Sequence, residues 1–175
     1  MSERVVTMLS TDQIAQRVRE LGAQITKEHK DRHLVLAVVL KGSFIFAADL
    51  ARAIDLSVRV DFLGVRSYGE GTETSGVVQI TQDLSKPIEG EDVIIVEDIV
   101  DTGLTMTYLL DRLRAQRPAS LSVAALLHKP SRTKAAVEIR YLGFTIEDVF
   151  VVGYGLDLDE RFRNLPHVAI WDPTR

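Results

Sequence analysis

Apolar positions follow two spacings along this chain, and the switches between them mark its elements. Ser10-Thr11-Asp12-Gln13 has the form of a capping box, and Ile14, Val18, Leu21 and Ile25 then share one helix face. Residues 34–40 form an unbroken apolar run with several β-branched side chains, which predicts a strand buried on both faces. The run ends at Lys41-Gly42-Ser43, and residues 44–50 read as a helix. Val58, Val60 and Phe62 alternate with Arg59 and Asp61, predicting a strand with one face exposed. Residues 67–76 carry three glycines and several hydroxyl side chains with hardly any apolar content, so they predict a mobile loop. A strand returns over 77–82, and Pro87 and Gly90 turn the chain into a second, near-continuous apolar run that starts at Val93 and ends in the carboxylates Glu97, Asp98 and Asp101. This run passes through Thr102-Gly103 into a helix whose Met106, Leu109, Leu110 and Leu113 fall at i, i+3, i+4 and i+7. After a break at Pro118 comes a strand over 121–127, ending in His128-Lys129-Pro130-Ser131-Arg132. The last section runs from Val149 to Asp157, through Glu160 to Asn164, and into a short strand over 167–171.

Strands that alternate with helices predict an α/β fold, a central mostly parallel sheet flanked by helices. No linker divides the chain, so residues 1–175 read as one domain. The expected refinement is a small hood over the carboxyl edge of the sheet, built from the N-terminal segment, first helix included, and residues 150–175. A formal charge of −4 argues against a general nucleic-acid binder. With no cysteine there is neither a disulfide nor a thiolate metal site. No apolar run nears the ~20 residues that span a bilayer, and the N-terminus opens no signal region. A cytoplasmic protein with no membrane partner is expected.

The candidate chemistry concentrates at residues 97–105, where a strand's carboxyl end meets a helix's amino end. Open α/β sheets bind ligands at that corner, and free N–H groups with the positive end of the helix dipole favour phosphate. Glu97 and Asp98 suit a sugar diol or Mg²⁺ through water. Asp101 stands where it can take a proton. Thr102, Gly103 and Thr105 offer hydroxyls, N–H groups and a residue without a Cβ. Acids beside a phosphate cradle suggest a ribose phosphate. Glu97-Asp98 alone would more readily be a strand end meeting water; the spacing to Asp101-Thr102-Gly103 tips the balance toward a site.

This stretch resembles the phosphoribosyl-pyrophosphate (PRPP) signature of the type I phosphoribosyltransferases. Together with Leu40-Lys41-Gly42-Ser43, Ser67-Tyr68-Gly69, His128-Lys129 and residues 150–163, it resembles the hypoxanthine-guanine (6-oxopurine) branch in its compact bacterial form. The resemblance implies transfer of a 5-phosphoribosyl group from PRPP to hypoxanthine or guanine, with Mg²⁺ as cofactor and a dimer or tetramer as the assembly. It implies that residues 97–105, Leu104 included, hold the ribose phosphate and that Asp101 is the base. Lys41, Gly42 and Arg163 would serve pyrophosphate, at a loop where relatives place a non-proline cis peptide between Leu40 and Lys41. Lys129, Phe150, Val151 and Asp157 would contact the purine, and Glu97, Asp98 and Asp157 the metal. Ser67 and Tyr68 would open a lid that keeps water from an oxocarbenium-like sugar. Leu104 departs from relatives that carry a lysine there. Taken singly, Lys41 is equally a solvated helix-entry lysine, whereas the isolated residues favour Arg163 as a solvated arginine, Lys129 as a surface lysine, Phe150 as a core aromatic and Asp157 as a turn aspartate. Other base specificities, an RNA-binding regulator and a non-catalytic nucleotide sensor stay open at this point.

Overall fold

A computed structural model describes residues 5–68 and 77–172. The order is β1 (Val5–Leu9), α1 (Thr11–Glu28), β2 (Leu34–Leu40), α2 (Phe44–Ala53), β3 (Val58–Tyr68), β4 (Val77–Gln82), β5 (Asp92–Val100) and α3 (Leu104–Arg114). Then follow β6 (Ser120–His128), a 3-10 turn (Pro130–Arg132), β7 (Tyr141–Thr145), β8 (Val151–Val152) and β9 (Val168–Trp171). Residues 69–76, most of the expected lid, lie outside the described residues, as do the side chains of Ser67 and Tyr68.

The main sheet has six strands in the order β4-β3-β2-β5-β6-β7, and only β4 is antiparallel to its neighbour. The α/β fold with a mostly parallel central sheet is therefore as expected. The strands β2 and β5 are the two continuous apolar runs, and both faces explain why. Leu34, Leu36, Val38, Ile94 and Val96 pack with α1 and α2 on one side. Val35, Ala37, Val39, Val93 and Ile95 pack with Met106, Leu109, Leu110 and Leu113 of α3 on the other. Over residues 34–40 and 93–96, covered on both faces, there is no position for a polar residue. Helix α1 opens as its sequence predicts, with Ser10 Oγ accepting from Gln13 N and Gln13 Oε1 accepting from Ser10 N.

Two expectations are corrected. The first helix is not part of a hood: Ile14, Val18, Leu21 and Ile25 are buried against α2 and the main sheet. The strand before it, β1, instead joins β9 and β8 in a separate three-stranded antiparallel sheet. Strand β3 is also turned over relative to its simplest reading. Asp61 is buried at 5% exposure, whereas Val60 and Phe62 stand 41% and 39% exposed. Asp61 pins the β4–β5 connection by accepting from Ser85 N, Ser85 Oγ and the Phe62 N–H. Burial alone would push its pKa up, but the donors from Ser85 and Phe62 outweigh it and hold the carboxyl below the usual range.

At the far end of the sheet from residues 97–105, Tyr141 Oη donates to Glu28 Oε2 at 2.7 Å and Arg140 Nε donates to the same oxygen at 2.9 Å. Burial opposes ionisation of Glu28, but the donors Tyr141, Gln24 and Arg140 and the guanidinium charge win, bringing its pKa down to about 2 from 4.5. Burial and the Glu28 carboxylate push the Tyr141 hydroxyl up to about 12. The stability this gives Glu28 is complete above its unfolded pKa and drains away as pH falls from about 4.5 to about 2. Glu28→Gln should therefore cost ~1–3 kcal/mol at pH 7. The gap from the parent should close across that acid window in urea titrations. A gap unchanged at pH 2.5 would contradict this account.

Candidate active site

Strand β5 runs longer than its pairing with β2. The β2 ladder ends at Val38–Val96, while β6 stays paired through Glu97–Ala125, Ile99–Leu127 and Val100–His128. Glu97 and Asp98 are thus held inside an extended strand, not leaving the sheet, and they sit beside the loop that leaves β2. The Leu40–Lys41 peptide in that loop is cis. Ser43, fully buried, donates from Oγ to Glu97 Oε1 at 3.0 Å. Gly42 lies so close to Asp98 that a Cβ there would overlap Oδ2. The two acids share this enclosure. Burial and the neighbouring Asp98 carboxylate push Glu97 well above the usual carboxylate range, and burial raises Asp98 as well.

Beyond the strand, the loop is stitched to the segment after β6. Lys129 N donates to Val100 O, and the amides of Lys134 and Ala135 both donate to Thr102 O. Gly103 caps α3 with φ +81°, a left-handed conformation open to glycine, and a Cβ would also run into the Ala135 carbonyl. Leu104 is the first residue of α3, and its N–H lies 3.4 Å from Thr102 Oγ1. The result is a cavity of about 250 Å³ walled by Leu40, Glu97, Asp98, Asp101, Thr102, Gly103, Thr105 and Arg132. It combines hard-oxygen donors, hydroxyls and a helix amino end, the set that a sugar phosphate requires.

A second group of charges lies against this cavity. Arg163 donates from Nη1 to Gly155 O at 2.8 Å and pairs through Nη2 with Asp157 at 2.9 Å. Lys41 Nζ pairs with Glu160 at 2.9 Å, and Glu160 also pairs with Arg163. The Arg163 charge is felt at Asp98, so this group adjoins the acids. A Cβ on Gly155 would overlap the Gly42 carbonyl, which locks the residue 153–157 loop onto the Lys41–Gly42 turn. The two cations expected at pyrophosphate are therefore adjacent, each already matched by an acid. Asp157 is engaged by Arg163 and by the Glu160 N–H.

The purine-side candidates divide. Lys129 is buried at 8% exposure, and its Nζ lies 3.6 Å from Asp148 Oδ1. Phe150 is not a core aromatic: it is 50% exposed, immediately before β8. Val151 is buried in β8, paired with Ile170.

Four participants were given no role by the sequence reading: Ser43, Arg132, Asp148 and Glu160. Ser43 and Arg132 each belong to a polar strand terminus, the one signal that could have found them. Glu160 lies within the matching segment 150–163, and Asp148 carried no signal.

This arrangement can be set beside known proteins. The model of the phosphoribosyl transferase domain family matches residues 6–159. The chain belongs to the phosphoribosyltransferase family. It is 48% identical over 172 residues to the hypoxanthine-guanine phosphoribosyltransferase of Mycobacterium avium, covering 95% of this chain and 85% of that protein. For the enzyme of the same name from Bacillus subtilis the identity is 44%, covering 95% and 93%. The crystal structure of a hypoxanthine phosphoribosyltransferase from Staphylococcus aureus superposes with a TM-score of 0.93 at 44% identity, over 97% of this chain and 92% of that one. The long matches place the chain in the hypoxanthine-guanine branch of the phosphoribosyltransferases.

The donor set also bears on Mg²⁺. Among the described residues no three acidic or histidine side chains converge to hold a metal. Glu97, Asp98 and Asp157 therefore do not meet as one three-acid cluster, and water would have to complete a site they shared. Mg²⁺ nonetheless fits, because it keeps much of its water and needs only one or two carboxylates when a substrate brings phosphate oxygens.

Proposed function

We infer that this protein transfers the 5-phosphoribosyl group of PRPP to hypoxanthine or guanine, giving IMP or GMP and pyrophosphate in purine salvage. The observation that carries the reading is the carboxylate-rimmed cavity between the end of β5 and the start of α3. The 5-phosphate lies on the 102–105 loop, taking N–H groups and the hydroxyls of Thr102 and Thr105. Glu97 and Asp98 accept from the ribose hydroxyls. Pyrophosphate lies toward Gly42, Lys41 and Arg163; these cations exchange Glu160 for phosphoryl oxygens, a change from one anion to a more highly charged one. The purine rests on the exposed face of Phe150 beside Val151, with Lys129 donating to its 6-oxo group and Asp157 near the base edge.

As the C1–oxygen bond to pyrophosphate breaks, the leaving group keeps the electron pair and a purine ring nitrogen bonds to C1 with inversion. Asp101 takes the proton that nitrogen sheds. Mg²⁺, held by Asp157, Glu97 and Asp98 mainly through water, would supply positive charge that neutralises the pyrophosphate. Residues 67–76 would exclude water once substrate is bound. The test is pyrophosphate release from PRPP and Mg²⁺ with each purine and pyrimidine base in turn. Release with hypoxanthine or guanine is the expected result, and release with none, or only with adenine or uracil, would overturn the assignment.

The protein acts as a homo-oligomer in this reading. Support comes from Phe44, Val60 and Phe62, large apolar side chains that stand 39–44% exposed on α2 and β3. The expected outcome for Phe62→Asp is a smaller species in light scattering than the parent; an unchanged mass would remove this strand from the interface.

A further inference from the structure

Asp101 ends a strand and is 37% exposed, so packing alone does not fix its side chain. What reaches it is Arg132. The Nε of Arg132 donates to Asp101 Oδ1 at 3.0 Å, and its Nη1 lies 3.6 Å from Asp148 Oδ2. Both backbones are tied together. Arg132 closes the 3-10 turn by donating its N–H to Lys129 O, while Lys129, Lys134 and Ala135 bond back to Val100 and Thr102 on either side of Asp101. The guanidinium lines the same cavity as Asp101, and the proximity of both carboxylates strengthens its hold on its proton.

We propose that Arg132, braced by Asp148, is a positioning residue that orients the Asp101 carboxylate for proton transfer. This rests on the reading of Asp101 as the base. A planar guanidinium fixes the plane of the carboxylate it binds, where a lysine would act only as a point charge. It occupies Oδ1 and leaves Oδ2 to face the incoming N–H. Asp148 meets Lys129 as well, so one carboxylate outside the cavity aligns both the cation for the 6-oxo group and, through Arg132, the base. Misplacing a reacting group by an ångström can cost ~10²-fold in rate.

A mutant cycle decides the matter. Arg132→Ala should lower kcat about 10–100-fold with calorimetric PRPP affinity within about twofold, and Arg132→Lys should restore part of the loss. In an Asp101→Asn background, Arg132→Ala should cost almost nothing more, because a residue acting through Asp101 has nothing left to orient. Asp148→Asn should give a smaller loss of the same kind. Full turnover in Arg132→Ala, or losses that multiply in the double variant, would overturn the proposal. Full turnover in Asp101→Asn alone would instead overturn the base assignment beneath it. Melting curves accompany each variant. Should Arg132→Ala fail to fold, Arg132→Gln keeps the stem and one donor and is read by the same cycle.

Discussion

Asp101→Asn is expected to reduce kcat by ~10²–10⁴-fold, the usual contribution of a positioned general base. Asparagine matches aspartate in shape and can still accept from Arg132 Nε through its amide oxygen, so the contact at 3.0 Å has no steric reason to break. What it lacks is an oxygen that can take the purine's proton. The ribose-phosphate cradle is built from other groups, the acids at 97 and 98 and the loop at 102–105. Calorimetric affinity for PRPP with Mg²⁺ should therefore stay within about threefold, since only groups that bind substrate and transition state alike would change it. Loss confined to kcat is the signature. A variant with parental turnover would take Asp101 out of the mechanism, and one that lost PRPP binding would make it a ligand of the sugar phosphate.

The second large effect is expected at Gly42. Alanine there would place a methyl group on Asp98 Oδ2, and the backbone has nowhere to retreat because the Gly42 carbonyl is packed against Gly155. The Asp98 side chain must swing away. Losing charge-assisted hydrogen bonds to the ribose is worth ~1.5–3 kcal/mol, or roughly 10–100-fold in PRPP affinity. Isothermal titration with Mg²⁺ present measures this directly. Gly90 supplies the control: its φ is +74°, yet a Cβ there meets nothing within 4 Å. Gly90→Ala should cost stability through backbone strain and leave PRPP affinity alone. Equal affinities for Gly42→Ala and the parent would mean that Asp98 does not touch the sugar.

Much of the architecture was legible along the chain. Strand β2 and the first half of β5 could be read because burial on both faces leaves residues 34–40 and 93–96 wholly apolar, and α1 because its cap and its apolar face are both local. The ribose-phosphate corner was legible for a similar reason: Glu97, Asp98, Asp101, Thr102 and Gly103 lie within seven consecutive residues, so their proximity follows from chain connectivity. Periodicity, however, shows which residues share a face and not what covers that face. Hence Val60 and Phe62 could be placed together on β3, but only the packing showed them pointing outward while Asp61 turned inward to hold Ser85. The same limit misplaced α1, whose apolar stripe fits a hood as well as a sheet.

By itself, then, the sequence determined the class of fold, most of its strands though not β1 or β7, and the corner proposed to bind a phosphate, because each of these is written in neighbouring residues. Tertiary structure alone decided the charge partners: Ser43 with Glu97, Lys41 with Glu160, Arg132 with Asp101 and Asp148. Those pairs join residues 16 to 119 positions apart. Coulombic attraction depends on distance in space, and long flexible side chains leave no periodic trace of the partner they will find.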